Sequence, residues 1–229
     1  MSLPSFDPAH DPFEDIYHAV GDDLGRVPWA NLVARPELVT WLDTAAAPVP
    51  TPDTRALVIA CGLGDDAEEL AHRGFVVLAF DFSPTAIALC RRRFPDSRVS
   101  YTTENLLSLP PSWTRAFDLV VEVNTVQSLP PEDHRAGIAA IAGTVADGGA
   151  LFLRCSGRED DEPVDHRPWP LSRGELAGFT DSGLVETSFV ESRTATGTRL
   201  FVATYRRPAR ERDDDRGVGE EDTPIRTGV

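Results

Sequence analysis

Gly62, Gly64 and Asp81 are the residues whose types and spacing most plainly invite chemistry. The glycines stand in the run Leu57-Val58-Ile59-Ala60-Cys61-Gly62-Leu63-Gly64-Asp65-Asp66-Ala67, and the acid closes a second apolar run about twenty residues on. Two glycines at a strand-to-helix junction allow a tight turn and close approach of backbone to a ligand. The N-terminus of the following helix faces that ligand, and a carboxylate at the end of the next strand meets a ribose diol. Together they predict a site for a nucleotide-bearing cofactor.

Other chemistries fall away on composition. Lysine is absent and every basic residue is Arg or His, which excludes a P-loop lysine, a lysine Schiff base and a lysine general base. The histidines are scattered with no pair at helical spacing, and Cys61, Cys90 and Cys155 have no metal-ligand spacing and read as core packing. No metal is expected. A formal charge of −15 opposes nucleic acid or an anionic membrane as partner. No apolar run approaches the roughly 20 residues that span a bilayer, and the Asp- and Pro-rich start lacks a signal-peptide pattern. A cytoplasmic protein is the expectation.

The elements that must position the site follow from apolar periodicity. Strands are predicted over 57–60, 76–80, 99–102, 117–122 and 150–154, and helices over 65–73, 84–93 and 132–146, which is a doubly wound α/β sheet. Ser83-Pro84 reads as a helix start, Asp147-Gly148-Gly149 as a helix stop, and Ser172 with Glu175 as a capping box for a helix over 172–182. Val185 to Glu191 and Leu200 to Tyr205 read as a terminal hairpin. The charged stretch from Ser156 to Pro170 cannot enter a core and is expected to be a long binding loop. Residues 1–50, with aromatics among their prolines, are expected to form a helical cover, 51–206 the cofactor-binding domain, and 207–229 a disordered charged tail.

Nicotinamide dinucleotide and S-adenosylmethionine both present a ribose diol, so the glycine turn alone admits either. A dehydrogenase normally needs a separate substrate domain, for which few residues remain, whereas S-adenosylmethionine carries its own electrophile. Here the residues reach a family resemblance. Ala60 to Ala71, followed by Phe80-Asp81-Phe82-Ser83-Pro84, resembles motif I and the second-strand acid of class I S-adenosylmethionine-dependent methyltransferases. Asn105-Leu106-Leu107-Ser108-Leu109-Pro110, Phe117 to Glu122 and Asp147-Gly148-Gly149 are similar to the family's later segments. Arg26-Val27-Pro28-Trp29-Ala30 resembles the N-terminal cover of the thiopurine S-methyltransferase-like branch. The resemblance implies a Rossmann-like, mostly parallel seven-stranded sheet in the order 3-2-1-4-5-7-6 with strand 7 antiparallel. Two departures stand out: Ala60-Cys61 where many members carry an acid, and Asn105 where Asp is commonest.

The resemblance assigns S-adenosylmethionine to Trp29, Ala60, Gly62, Gly64, Asp81, Phe82, Asn105, Leu106 and Glu122. Asp81 is expected on the ribose, Phe82, Asn105 and Leu106 around the adenine, Glu122 near the sulfonium, and Trp29 as an aromatic cover. Asn124, Gln127, Arg158, His166 and Trp169, on loops at the carboxyl ends of strands, are the substrate-pocket candidates. Methyl transfer is an in-line displacement driven by positioning, so a thiol or other soft nucleophile needs no base, and no catalytic residue is assigned. A small-molecule acceptor is expected. A nicotinamide-dependent oxidoreductase and a cofactor-binding protein without transfer activity are the competing readings.

Overall fold

The computed structural model describes residues 12–21, 23–164 and 167–210. The helices are α1 (Pro12–Val20), α2 (Pro36–Leu42), α3 (Asp65–Arg73), α4 (Pro84–Arg93), α5 (His134–Thr144) and α6 (Arg173–Asp181). The strands are β1 (Arg55–Ile59), β2 (Val76–Asp81), β3 (Ser100–Thr103), β4 (Phe117–Val123), β5 (Val145–Arg158), β6 (Leu171–Ser172), β7 (Val185–Arg193) and β8 (Arg199–Arg206).

The sheet runs β3-β2-β1-β4-β5-β8-β7, with β6 paired to β5 off this path. The pairs from β3 through β5 are parallel and β8 is antiparallel to both β5 and β7. This is the expected Rossmann-like order, shifted by one in number because the two-residue β6 precedes the hairpin.

Alternation along β1 explains how both faces are filled. Leu57 and Ile59 join a cluster with Ile138 and Ile141 of α5 and Phe179 of α6. Ala56 and Val58 join the opposite cluster with Leu38 of α2, Leu70 of α3 and Ile87 of α4. Strands covered on both sides read as continuous apolar runs because each alternate side chain finds a helix to pack on.

Local signals stop and start these helices. Ser83 accepts from Ala86 N at 2.9 Å with Pro84 in the first turn of α4, and the Ser172–Glu175 capping box opens α6. β5 is much longer than expected. It begins at Val145, and its register against β4 shifts between Phe117 and Leu119, where Gly148 has φ +78° and a Cβ on Gly149 would lie 2.9 Å from the Ala146 carbonyl and 3.0 Å from that of Phe117. The glycine pair is therefore a kink within the strand, and α5 ends earlier, at Thr144. At its other end β5 reaches Arg158, which removes the first residues of the expected 156–170 loop.

The N-terminal segment is pinned to the domain by polar contacts. Glu14 of α1 accepts hydrogen bonds from the Ser83 and Thr85 hydroxyls at the start of α4. Tyr17 and Val20 pack with Leu63, Ala86 and Leu89. At the other end Arg207 is buried and donates to the Val145 and Ala142 carbonyls, so the chain stays attached one residue beyond the hairpin. The expected tail lies outside the described residues from 211 onward.

Candidate functional site

Strand order reverses at β1, between β2 and β4, and the loops leaving their carboxyl ends diverge there. A cavity of about 440 Å³ opens at that point. Its walls come from the β1–α3 turn, the ends of β2, β3 and β4, and α1 with the segment that follows it.

The turn is shaped by backbone that side chains rarely allow. Ala60 has φ +45°, Gly62 +55° and Gly64 +89°. A Cβ on Gly62 would lie 3.1 Å from the Tyr17 hydroxyl, and one on Gly64 would lie 2.6 Å from the Tyr101 hydroxyl. Ala60 and Gly62 line the cavity, whereas Gly64 is absent from its walls. Gly64 serves the site from below, because its left-handed conformation starts α3 over Tyr101.

Asp81 ends β2 and lines the cavity, and its two oxygens accept from Gly62 N at 2.8 Å and Ser83 N at 3.0 Å. The carboxylate is thereby fixed in orientation at the cavity wall. Phe82, Asn105 and Leu106 line the cavity beside it. Asn105 Oδ1 already accepts from Leu107 N at 2.9 Å, which shapes the turn after β3. Trp29 is on the opposite wall, donating its indole N–H to the Tyr17 hydroxyl at 3.0 Å and meeting the Phe13 ring edge to face at 5.1 Å.

Glu122 stands elsewhere than expected. It is fully buried, is absent from the cavity walls, and its Oε1 accepts from Thr125 N and Val126 N. Burial pushes its carboxyl up to about 7, against the lowering effect of these two N–H groups, and Oε2 has no partner among the described residues. Its work is to fold the β4 loop, which brings Asn124 (φ +61°) and Gln127 to the cavity wall. Asn124 accepts from Arg154, and the Gln127 side chain accepts from Ser156 N.

Two further pocket candidates turn away from the cavity. Arg158 donates to the Pro170, Glu159, Asp160 and Glu162 carbonyls and to Glu175, so it organises its own loop. Trp169 is also absent from the walls; its backbone N–H donates to the Gln127 carbonyl at 2.7 Å and its ring lies against the Arg167 guanidinium. His166 lies outside the described residues.

Wall residues that the motifs did not single out are Tyr17, Arg35, Cys61, Asp66 and Arg167. Tyr17 and Phe13 sit one helical turn apart on α1, a spacing that marks them for one face. Burial and the nearby Asp81 push the Tyr17 phenol up, and contact with Cys90 together with burial pushes the Cys61 thiol up. Arg35 donates its guanidinium to the Trp29 carbonyl and its backbone N–H to Asp66, both at 2.7 Å. Burial raises the Asp66 carboxyl, and that N–H and the Arg35 charge work against the rise. No group of three or more metal-ligating side chains occurs among the described residues.

Residues 56–149 match the family model described as a methyltransferase domain. No curated protein matches the chain as a relative. Among solved structures, the N-methyltransferase NodS from Bradyrhizobium japonicum WM9 with S-adenosyl-L-homocysteine superposes with a TM-score of 0.67 at 21% identity, covering 88% of this chain and 100% of that one. The 1,6-didemethyltoxoflavin-N1-methyltransferase of Burkholderia thailandensis gives 0.66 at 17% identity, over 91% and 93%. A structure titled for conversion of a disulfide bond into a thioacetal group during echinomycin biosynthesis gives 0.64 at 21% identity, over 79% and 84%.

At these identities the likeness is one of fold, within which residues 56–149 match the methyltransferase domain model; S-adenosylmethionine is the cofactor that such a domain implies. The residues present fit that cofactor. Gly62 leaves backbone open on the cavity, and Asp81 presents an oriented carboxylate where the ribose lies in this architecture.

Proposed function

We propose that the protein transfers a methyl group from S-adenosylmethionine to a small-molecule acceptor, with a thiol or other soft nucleophile favoured. The observation that carries this reading is the cavity itself, which joins Ala60, Gly62, Asp81, Phe82, Asn105, Leu106 and Trp29 to Asn124 and Gln127 around one hollow. In it Asp81 would hold the ribose, Phe82 and Leu106 would flank the adenine, and Trp29 would cover the ligand. The cofactor supplies an electrophilic methyl group. The chain's residues supply position and exclude water, which is where most of the acceleration of an in-line displacement arises.

A soft acceptor is favoured because Glu122, the carboxyl with a pKa best suited to a general base, is fully buried away from the cavity. The fold neighbours support a small acceptor: one is titled for the N1 position of 1,6-didemethyltoxoflavin, and another for sulfur chemistry in echinomycin biosynthesis. Trp29 on the cavity wall supports the likeness to the thiopurine S-methyltransferase-like branch. We infer a cover over 1–50 and a cofactor-binding domain over 51–206. Among the described residues no helix is long and apolar enough to cross a membrane.

Two measurements test this reading. Calorimetry is expected to show S-adenosylhomocysteine binding in the micromolar range, and labelled methyl transfer is expected to be fastest to thiols in a panel that also holds halides, phenols and amines. No binding at millimolar ligand overturns the cofactor site. Transfer to amines alone overturns the soft acceptor.

A further inference from the structure

Arg167 lies on the cavity wall with its guanidinium 5.2 Å from the centre of the Phe13 ring and 5.1 Å from that of Trp169. Several arginines elsewhere hold a carboxylate, as Arg73, Arg93, Arg115, Arg158, Arg173 and Arg199 do. Among the described residues, the contacts of Arg167 are with these two rings and with no carboxylate. Packing against rings leaves the five in-plane N–H donors of a guanidinium free, and their fork matches a planar carboxylate. In a chain of net charge −15 such a group is a local attraction for an anion in an otherwise repelling field.

The acids that share the cavity are engaged or lie toward the cofactor. Asp65 binds Arg93, Asp66 accepts from Arg35 N, and Asp81 accepts from Gly62 N and Ser83 N. Glu104 follows β3 with its N–H on the Asp81 carbonyl, and Asp133 precedes α5, whose Gly137 packs on Leu129 and Leu106. Both therefore border the ribose and adenine side. Arg167 borders Phe13, and the Trp169 backbone N–H ties its loop to Gln127, a substrate-side residue of the cavity wall. That places it at the acceptor side, among apolar rings.

We propose that the methyl acceptor is a flat, largely apolar molecule bearing a carboxylate, which Arg167 recognises. This rests on the cavity's function as a methyl-transfer site, and it assigns the acceptor end of that cavity. A purely structural role for Arg167, clasping its loop to α1, would affect charged and neutral ligands alike.

The test compares naphthalene-2-carboxylate with naphthalene-2-carboxamide by calorimetry on the full chain saturated with S-adenosylhomocysteine. The carboxylate is expected to bind at least 10-fold more tightly, Arg167→Gln to bring the two within about twofold, and Arg167→Lys to retain part of the preference. Equal binding of the two probes to the native chain overturns the proposal, as does a preference that Arg167→Gln leaves intact. S-adenosylhomocysteine affinity is measured alongside on both chains, and the probe pair is repeated without it. Its failure to bind removes the cofactor reading, whereas normal cofactor binding without a carboxylate preference removes only the acceptor class.

Discussion

Asp81 and Glu122 stand at the ends of the two strands that flank β1, and each gathers two loop N–H groups onto its carboxylate. Their surroundings nonetheless differ completely. Val58 is level with Ala79, so β2 carries Asp81 past the end of β1 to where the glycine turn begins, and the carboxylate meets the cavity. Glu122 is level with Ile59 on one side and Leu153 on the other, with β5 running on to Arg158, so it is walled in. The same residue chemistry becomes a cavity-wall carboxylate in one place and a loop anchor in the other. Relative strand length makes the difference.

The largest expected effect sharpens the ligand side. Asp81→Asn is expected to weaken S-adenosylhomocysteine on the order of 100-fold, because charge-assisted hydrogen bonds to a diol contribute about 1.5–3 kcal/mol each. Calorimetry checks it, and a loss under fivefold would erase the distinction between the two acids.

Glu122→Gln addresses the anchor. The folded carboxyl keeps its proton to about pH 7, whereas an unfolded glutamate releases its own near 4.5. The native state therefore binds more protons between these values, and this group makes stability fall as pH rises from about 4.5 to 7, with no further change above. Removing the charge is expected to stabilise the variant relative to the native chain by about 2 kcal/mol more at pH 7.5 than at pH 5, from 1.36 kcal/mol per pKa unit discounted for relaxation. Denaturant unfolding at both pH values measures this. S-adenosylhomocysteine affinity is expected to change less than threefold, and a larger loss would return Glu122 to the ligand site.

The smallest effect concerns Glu175, a carboxylate on the loop side of the acceptor end. Burial pushes it up, but His134, the Ser172 N–H and Arg158 outweigh that and hold it down at about 2. Its stabilising contribution is complete above about pH 4.5 and disappears as pH falls toward 2. Glu175→Gln is expected to cost about 1 kcal/mol at pH 7, allowing for partial solvent screening, and nothing measurable near pH 2. Thermal melts at the two pH values decide it. An equal loss at both would mean that packing, not charge, carries the effect.

Local patterns carried far in this chain. Helices at 65–73 and 84–93 coincide with α3 and α4, because Gly64, Gly74, Ser83 and Pro84 act on the backbone within a turn of where they stand. The β5 kink was legible as a glycine pair, but its place inside a strand was not, since that depends on register against β4. Of the expected substrate-pocket residues, Asn124 and Gln127 reach the cavity, while Arg158 organises its own loop and Trp169 holds Gln127 and Arg167 from behind the wall. Arg167, between His166 and Pro168 in the sequence, carries no local mark of its position between Phe13 and Trp169.

The amino-acid sequence by itself determined the glycine-turn half of the cavity: strand, turn, helix and terminal acid are contiguous, and their geometry follows from short-range backbone sterics and period-two burial. Tertiary structure alone decided which acids see the cavity, which arginines line it and how Tyr17 and Trp29 close over the turn. Those outcomes depend on where strands end relative to one another and on contacts between segments distant in the chain. No window of sequence contains that information.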